Sequence, residues 1–176
     1  MKRTILILML SLSASASARA VDFDGAHARL NATLSARVRE GRVDYAGLKK
    51  DSADLDAWLA SAAKADETDF KGRPRDQRLA FLINLYNAAT LRLILDHYPI
   101  ASIRDIGPAW DSNKAWKLTS VKVFGRTISL NTVEHEMIRP IFNEPRVHFA
   151  LVCAAKGCPP LRSEAYDGAR LNAQLD

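Results

Sequence analysis

Two cysteines in 176 residues are too few for a fold held together by disulfides, so the protein must bury a core of its own. Beyond the first twenty residues, no segment offers about 20 uninterrupted apolar residues, and an integral membrane protein is not expected. Charge of one sign is also scarce once those twenty residues are set aside. They contain Lys2, Arg3 and Arg19 but no acid, which leaves 22 basic against 20 acidic residues and removes the main support for a nucleic-acid partner. Repeats and low-complexity linkers are absent.

The opening MKRTILILMLSLSASASARA has two basic residues, then an apolar run from Ile5 to Leu10, then Ala18 and Ala20 in A-x-A spacing. That order describes a secretory signal peptide over residues 1–20, with an exported protein, periplasmic or extracellular, starting at Val21. No cysteine follows the cleavage site, which argues against a lipoprotein. Residues 21–176 suit one domain. The closing LNAQLD is helix-like without a stop signal, so the domain is expected to be truncated at its C-terminus.

Along the chain, Asp22 and Asp24 stand where they would cap a helix carrying Leu30, Leu34 and Val38 on one face and ending at Gly41. RVDYAGL alternates like an extended piece, Ser52 opens a helix with Leu55, Trp58, Leu59 and Ala62 together, and DETDFKGRPRDQ reads as a polar loop. Arg75 to His97 is apolar nearly all round, the pattern of a central buried helix closed by Tyr98-Pro99. KLTSVKVFGRTISL reads as a hairpin turning near Gly125. Asn131 and Glu134 have the spacing of a capping box for a short helix that Pro140 ends. Val147 to Cys153 is apolar enough for a buried strand. Helices first and strands later predict an α+β fold, helices packed on a mostly antiparallel sheet.

Several polar residues stand in apolar surroundings. Asn84 and Asn87, three apart on the central helix, point to roughly the same side, and a buried amide without partners costs about 1–3 kcal/mol. They either tie neighbouring backbone, the commoner use of core amides, or orient an imidazole or hold an oxyanion. Adjacent Glu134 and His135 diverge by about 100° on a helix and form no dyad with each other. Glu134 is explained as the capping acid, whereas His135 is not. Arg139, one turn on, would hold a carboxylate or serve the helix end.

VHFALVCAAKGCPPL gathers His148, Cys153 and Cys158. On a regular strand His148 and Cys153 leave opposite faces, so Cys158, beyond the Ala154–Gly157 turn, suits His148 better, while Cys153 would need a partner such as His135. A Cys153–Cys158 disulfide fits both the spacing and an oxidising compartment. Zinc through Cys153, Cys158, His148 and His135 has suitable ligand types, but C-x4-C lies at the wide end of zinc spacing; it ranks below both, and no metal or other cofactor is expected.

FLINLYNA, LNTVEHEMIR and VHFALVCAAKGCPPL, in this order, resemble the motifs of the family named domain of unknown function 547, over about Val43 to Asp176. Asn84, Tyr86, Asn87, Glu134, His135, Arg139, His148, Cys153, Cys158 and Pro159 take matching positions. Leu82 stands where the family often has Trp, and Met137-Ile138 replace the usual end of the middle motif. The resemblance implies a distantly papain-like or transglutaminase-like fold. In such folds the central helix starts with the nucleophilic cysteine. This helix has Asn84 and no cysteine, so any nucleophile must come from the segment after His148.

The expected site therefore comprises Cys158 or Cys153 as nucleophile, His148 or His135 as base, Asn84 or Asn87 as orienting or oxyanion group, and Glu134, Arg139 and Tyr86 as binding residues. These would make a thiol-dependent hydrolase or acyl transferase acting on a small molecule or peptide. The alternatives are a non-catalytic binding module with a structural disulfide, and a thiol redox domain.

Overall fold

The structure, a computed structural model, describes residues 26–176 apart from 109, 112, 155 and 156. The signal-peptide reading of residues 1–20 and the proposed capping by Asp22 and Asp24 lie outside the described residues.

Helix α1 (Ala26–Arg37) buries Leu30 and Leu34, one turn apart, and Val38 continues that face into β1 (Val38–Arg39). Glu40 and Gly41, both left-handed at φ 50° and 75°, make a two-residue turn into the antiparallel partner β2 (Arg42–Val43). The extended reading of RVDYAGL ends at Val43. Asp44 then caps α2 (Tyr45–Lys50), its carboxylate accepting the Gly47 N–H at 2.9 Å, and Leu48 is buried. Helix α3 (Ala53–Ala63) turns Leu55, Trp58 and Ala62 inward, as their spacing predicts.

The stretch expected as a polar loop contains a further helix, α4 (Glu67–Gly72). Asp66 caps it through the Asp69 N–H, and its one large apolar residue, Phe70, packs against Phe81 and Phe124. A single aromatic was enough to seat a short capped helix that shows no periodicity.

Helix α5 (Arg75–His97) is the axis of the fold, with every residue from Leu79 to Leu91 buried. By length and composition it could cross a membrane, but its surface is covered by the protein's own helices α2 and α3 and by elements later in the chain. After a short helical turn, Ile103–Asp105, come α6 (Lys114–Lys117) and the hairpin of β3 (Thr119–Val123) and β4 (Arg126–Ser129). The hairpin turns at Phe124-Gly125, both left-handed, and the Gly125 N–H donates to the Ala63 carbonyl at 3.1 Å. Val121 and Val123 face the core.

The next helical stretch departs from expectation twice. Ser129, not Asn131, is its N-cap, accepting the Thr132 N–H at 3.0 Å, so the Asn131–Glu134 capping box does not form. Nor does Pro140 end it. Helix α7 (Leu130–Thr132) widens into a π-helical segment, Val133–Ile138, where the Arg139 N–H bonds the carbonyl five residues back at Glu134, and α8 (Arg139–Phe142) carries Pro140 in its first turn. A ring without an N–H is tolerated at a helix start, and the π segment makes Arg139 the start of a new helix. Left-handed Asn143 closes α8.

Val147 to Cys153 is not a strand. Val147–Ala150 is a helical turn, α9, with Val147, Ala150 and Leu151 buried at i, i+3 and i+4, and only from Leu151 is the chain extended. Uninterrupted apolarity concealed the period, because Phe149 is 68% exposed. The strand-parity argument for His148 and Cys153 falls with it. Helix α10 (Leu171–Leu175) packs against α5 and α9.

The architecture is thus mixed α and β, as expected, but the strands among the described residues form two separate two-stranded ribbons beside a helical body rather than one sheet under it.

Candidate functional site

Both asparagines of α5 are backbone clamps. Asn84 donates to the Tyr166 carbonyl at 2.8 Å and accepts the Tyr166 N–H at 2.9 Å, with His27 of α1 at 3.3 Å. Asn87 donates to the Ala150 carbonyl and accepts the Val152 N–H, each at 2.9 Å. An irregular segment beside an apolar helix must satisfy its peptide groups with something, and an amide supplies one donor and one acceptor, as a neighbouring strand would.

Cys153 and Cys158 form a disulfide, with Cα atoms 6.1 Å apart, and neither is free. Both residues are half-buried rather than sealed in the core. The bond closes a short loop whose left-handed Ala154 and Gly157 make the return. Each flank has its own tie. Asn87 holds Val152, one residue before Cys153; two residues after Cys158, Pro160 packs so closely on Gly41 that a Cβ there would collide with the proline ring. The two sulfurs bond each other, so neither is available as a zinc ligand or as a free nucleophile.

Cys158 borders two hollows. The first, about 660 Å³, runs between the β1–β2 hairpin and the loop, with Asn87 and Thr90 on its floor and Tyr45 and Val152 in its walls. Burial pushes the Tyr45 hydroxyl up to about 12, so it is a neutral donor at physiological pH. The second, about 480 Å³, holds His148, Phe149, Arg146, Arg162 and Tyr166 on the other side of Cys158. Asn87 and Cys158 therefore share one hollow, and His148 and Cys158 share the other. His135 is exposed and lines neither.

Tyr86, Glu134 and Arg139 form a separate group. Arg139 gives both Nε (2.9 Å) and Nη2 (2.7 Å) to Glu134 Oε1, a pairing at i, i+5 that the π segment brings into reach. The buried Tyr86 hydroxyl lies close to Trp116 and Glu134, and burial, then the Glu134 charge, push its pKa well up. The group fastens the π segment to α5. Glu134 thus holds neighbouring side chains rather than a helix cap.

The family described as "Protein of unknown function, DUF547" matches residues 70–176.

The chain belongs to the DUF547 family.

No curated protein and no solved structure matches it. The matched DUF547 span contains both clamps, the π segment and the disulfide loop. It excludes the β1–β2 hairpin and α2, so the first hollow has one wall inside the family region and one outside it. Sequence reasoning missed that outer wall, Glu40 to Tyr45. The available signal was Asp44, an N-cap residue immediately before YAGL, which already argued for a turn and a helix rather than a continuing strand.

Proposed function

We propose that this DUF547 domain is an exported thiol–disulfide redox domain in which Cys153 and Cys158 cycle between disulfide and dithiol. The observation that carries the reading is that the segments on both sides of the bond are held by other contacts, Asn87 on Val152 and Gly41 on Pro160, while Cys158 borders two open hollows. A staple whose flanks are already fixed adds little order, and a short loop gains least from closure. Those same flanks would keep the two thiols adjacent after reduction.

A substrate thiolate attacks Cys158 Sγ, forming a mixed disulfide and releasing Cys153 as thiolate. A second substrate thiol, deprotonated, attacks the substrate sulfur of the mixed disulfide and frees Cys158; the substrate leaves as a disulfide and the domain as a dithiol, two electrons having passed to it. A small disulfide such as oxidised glutathione restores the bond. His148, in the same hollow as Cys158, receives the proton of the incoming thiol. Export is part of the proposal, supported by the order of features in residues 1–20 and by the need of such a pair for an oxidising compartment. A thiol-dependent hydrolase requires a free thiolate, and both sulfurs are engaged.

The test is a titration in glutathione buffers with alkylation and mass measurement, alongside thermal melts of both forms. A reversible two-electron transition with the dithiol form still folded supports the redox cycle. Loss of the fold on reduction would instead favour the binding module with a structural disulfide, a reading favoured by the use of both asparagine amides on backbone.

A further inference from the structure

In the β1–β2 hairpin, Arg39 pairs with Arg42 across the two-residue turn and the Asp44 N–H returns to the Arg37 carbonyl at 2.8 Å. Antiparallel pairs alternate between bonded and non-bonded, so Val38 and Val43, between those two, are the non-bonded pair. The N–H and C=O of Val43 consequently point away from β1. No hydrogen bond among the described residues reaches either group, although Val43 is half-buried and lines the first hollow. The residue that packs most closely on the hairpin turn at Gly41 is Pro160, which has no N–H to give. Among the described residues this strand edge is thus open, and the unpaired N–H and C=O of a half-buried residue offer a template for pairing with another chain.

We propose that the first hollow binds an extended polypeptide, laid along β2 and hydrogen-bonded to the Val43 N–H and C=O, whose cysteine is thereby presented to Cys158. The clause about the cysteine rests on the redox reading; the docking does not. The occupant is polypeptide because the open groups are one backbone donor and one backbone acceptor, the pairing a strand completes. Val43, Leu91, Val152 and Leu161 give its side chains apolar surface, and Glu40 and Arg42 leave the mouth without a net sign that would select a polyanion. The hairpin wall lies outside the DUF547 match, so substrate choice belongs to this chain's own N-terminal half and the exchange chemistry to the family region.

The probes are three fluorescein-labelled peptides of alternating valine and threonine: one with a central cysteine, one with serine in its place, and the serine peptide N-methylated at alternate residues. Anisotropy is measured against the oxidised protein. The serine peptide should bind saturably, and N-methylation should weaken it about tenfold, the equivalent of roughly one backbone hydrogen bond. Val43→Pro, which removes the edge donor, should weaken the unmethylated peptide similarly, with its melt confirming the fold. The cysteine peptide should also form a mixed disulfide at Cys158. No binding of the serine peptide, or binding indifferent to N-methylation, would overturn the docking. Binding of the serine peptide with no exchange by either glutathione or the cysteine peptide would uphold the docking and sink the redox reading alone.

Discussion

Asn84 and Asn87 lie three residues apart on α5 and make the same two kinds of hydrogen bond, yet they hold different kinds of segment. Asn84 closes both bonds on a single residue, Tyr166, which is itself buried. Asn87 spreads its bonds over Ala150 and Val152 and so holds a short arch of chain leading straight to Cys153. The first clamp ends in the core; the second ends at the disulfide, which borders two hollows. The same amide chemistry is structural in one place and sets the geometry of a candidate site in the other. The difference lies in the segment that each amide grips and in where that segment leads.

The contrast can be broken most directly by removing the amides. Asn84→Leu strands the N–H and C=O of Tyr166 in the core at about 1–3 kcal/mol per group, and should give the largest loss in a denaturant titration. Asn87→Leu should cost less, because the Val152 N–H is only part-buried and can find water. The variants should separate more sharply in re-oxidation. After reduction, Asn87→Leu should re-form the disulfide more slowly than the parent, as the flank of Cys153 is no longer held, whereas Asn84→Leu should re-form it at the parental rate. Equal rates in both would dissolve the distinction. The pair Cys153→Ser with Cys158→Ser should lower stability by about 2 kcal/mol, the value for so short a loop, without loss of the fold by circular dichroism.

The smallest effect is electrostatic and lies beside the second clamp. Hydrogen bonds from Arg146, the residue before α9, hold the Glu144 carboxyl down at about 2 against an ordinary value near 4.5. A depressed acid contributes stability that is fully present above the ordinary value and is lost as pH falls toward the folded one. The melting temperature of the parent should therefore exceed that of Glu144→Gln at pH 6, with the gap closing between about pH 4.5 and about pH 2. A gap unchanged across that window would show that the pair does not couple to folding.

Much of this was legible beforehand. The central helix announced itself because a segment apolar all round has nowhere else to go. The asparagines within it had to be bonded because a buried amide must bond something, but whether they held backbone or a catalytic group stayed open until the structure placed them on backbone. The disulfide was one of three options that spacing left open. What escaped were short elements. The α9 turn looked like a strand because exposed Phe149 filled the polar half of its period, and α4 looked like a loop because one buried phenylalanine carries no periodicity. Pro140 looked like a stop because a sequence does not show that the preceding turn has widened into a π segment, making the proline the second residue of a new helix.

Local sequence alone determined the helix axis, the β3–β4 hairpin with its turn at Gly125, and the apolar faces of α1 and α3. In each, the signal lies within a few residues, as a period or a required backbone angle. Tertiary structure alone decided which segments the two asparagines hold, that Cys158 faces two hollows, and that the Val43 edge stays open beside Pro160. Those depend on contacts between residues tens of positions apart, 65 for Asn87 and Val152 and 82 for Asn84 and Tyr166, and no local propensity encodes a partner at that distance.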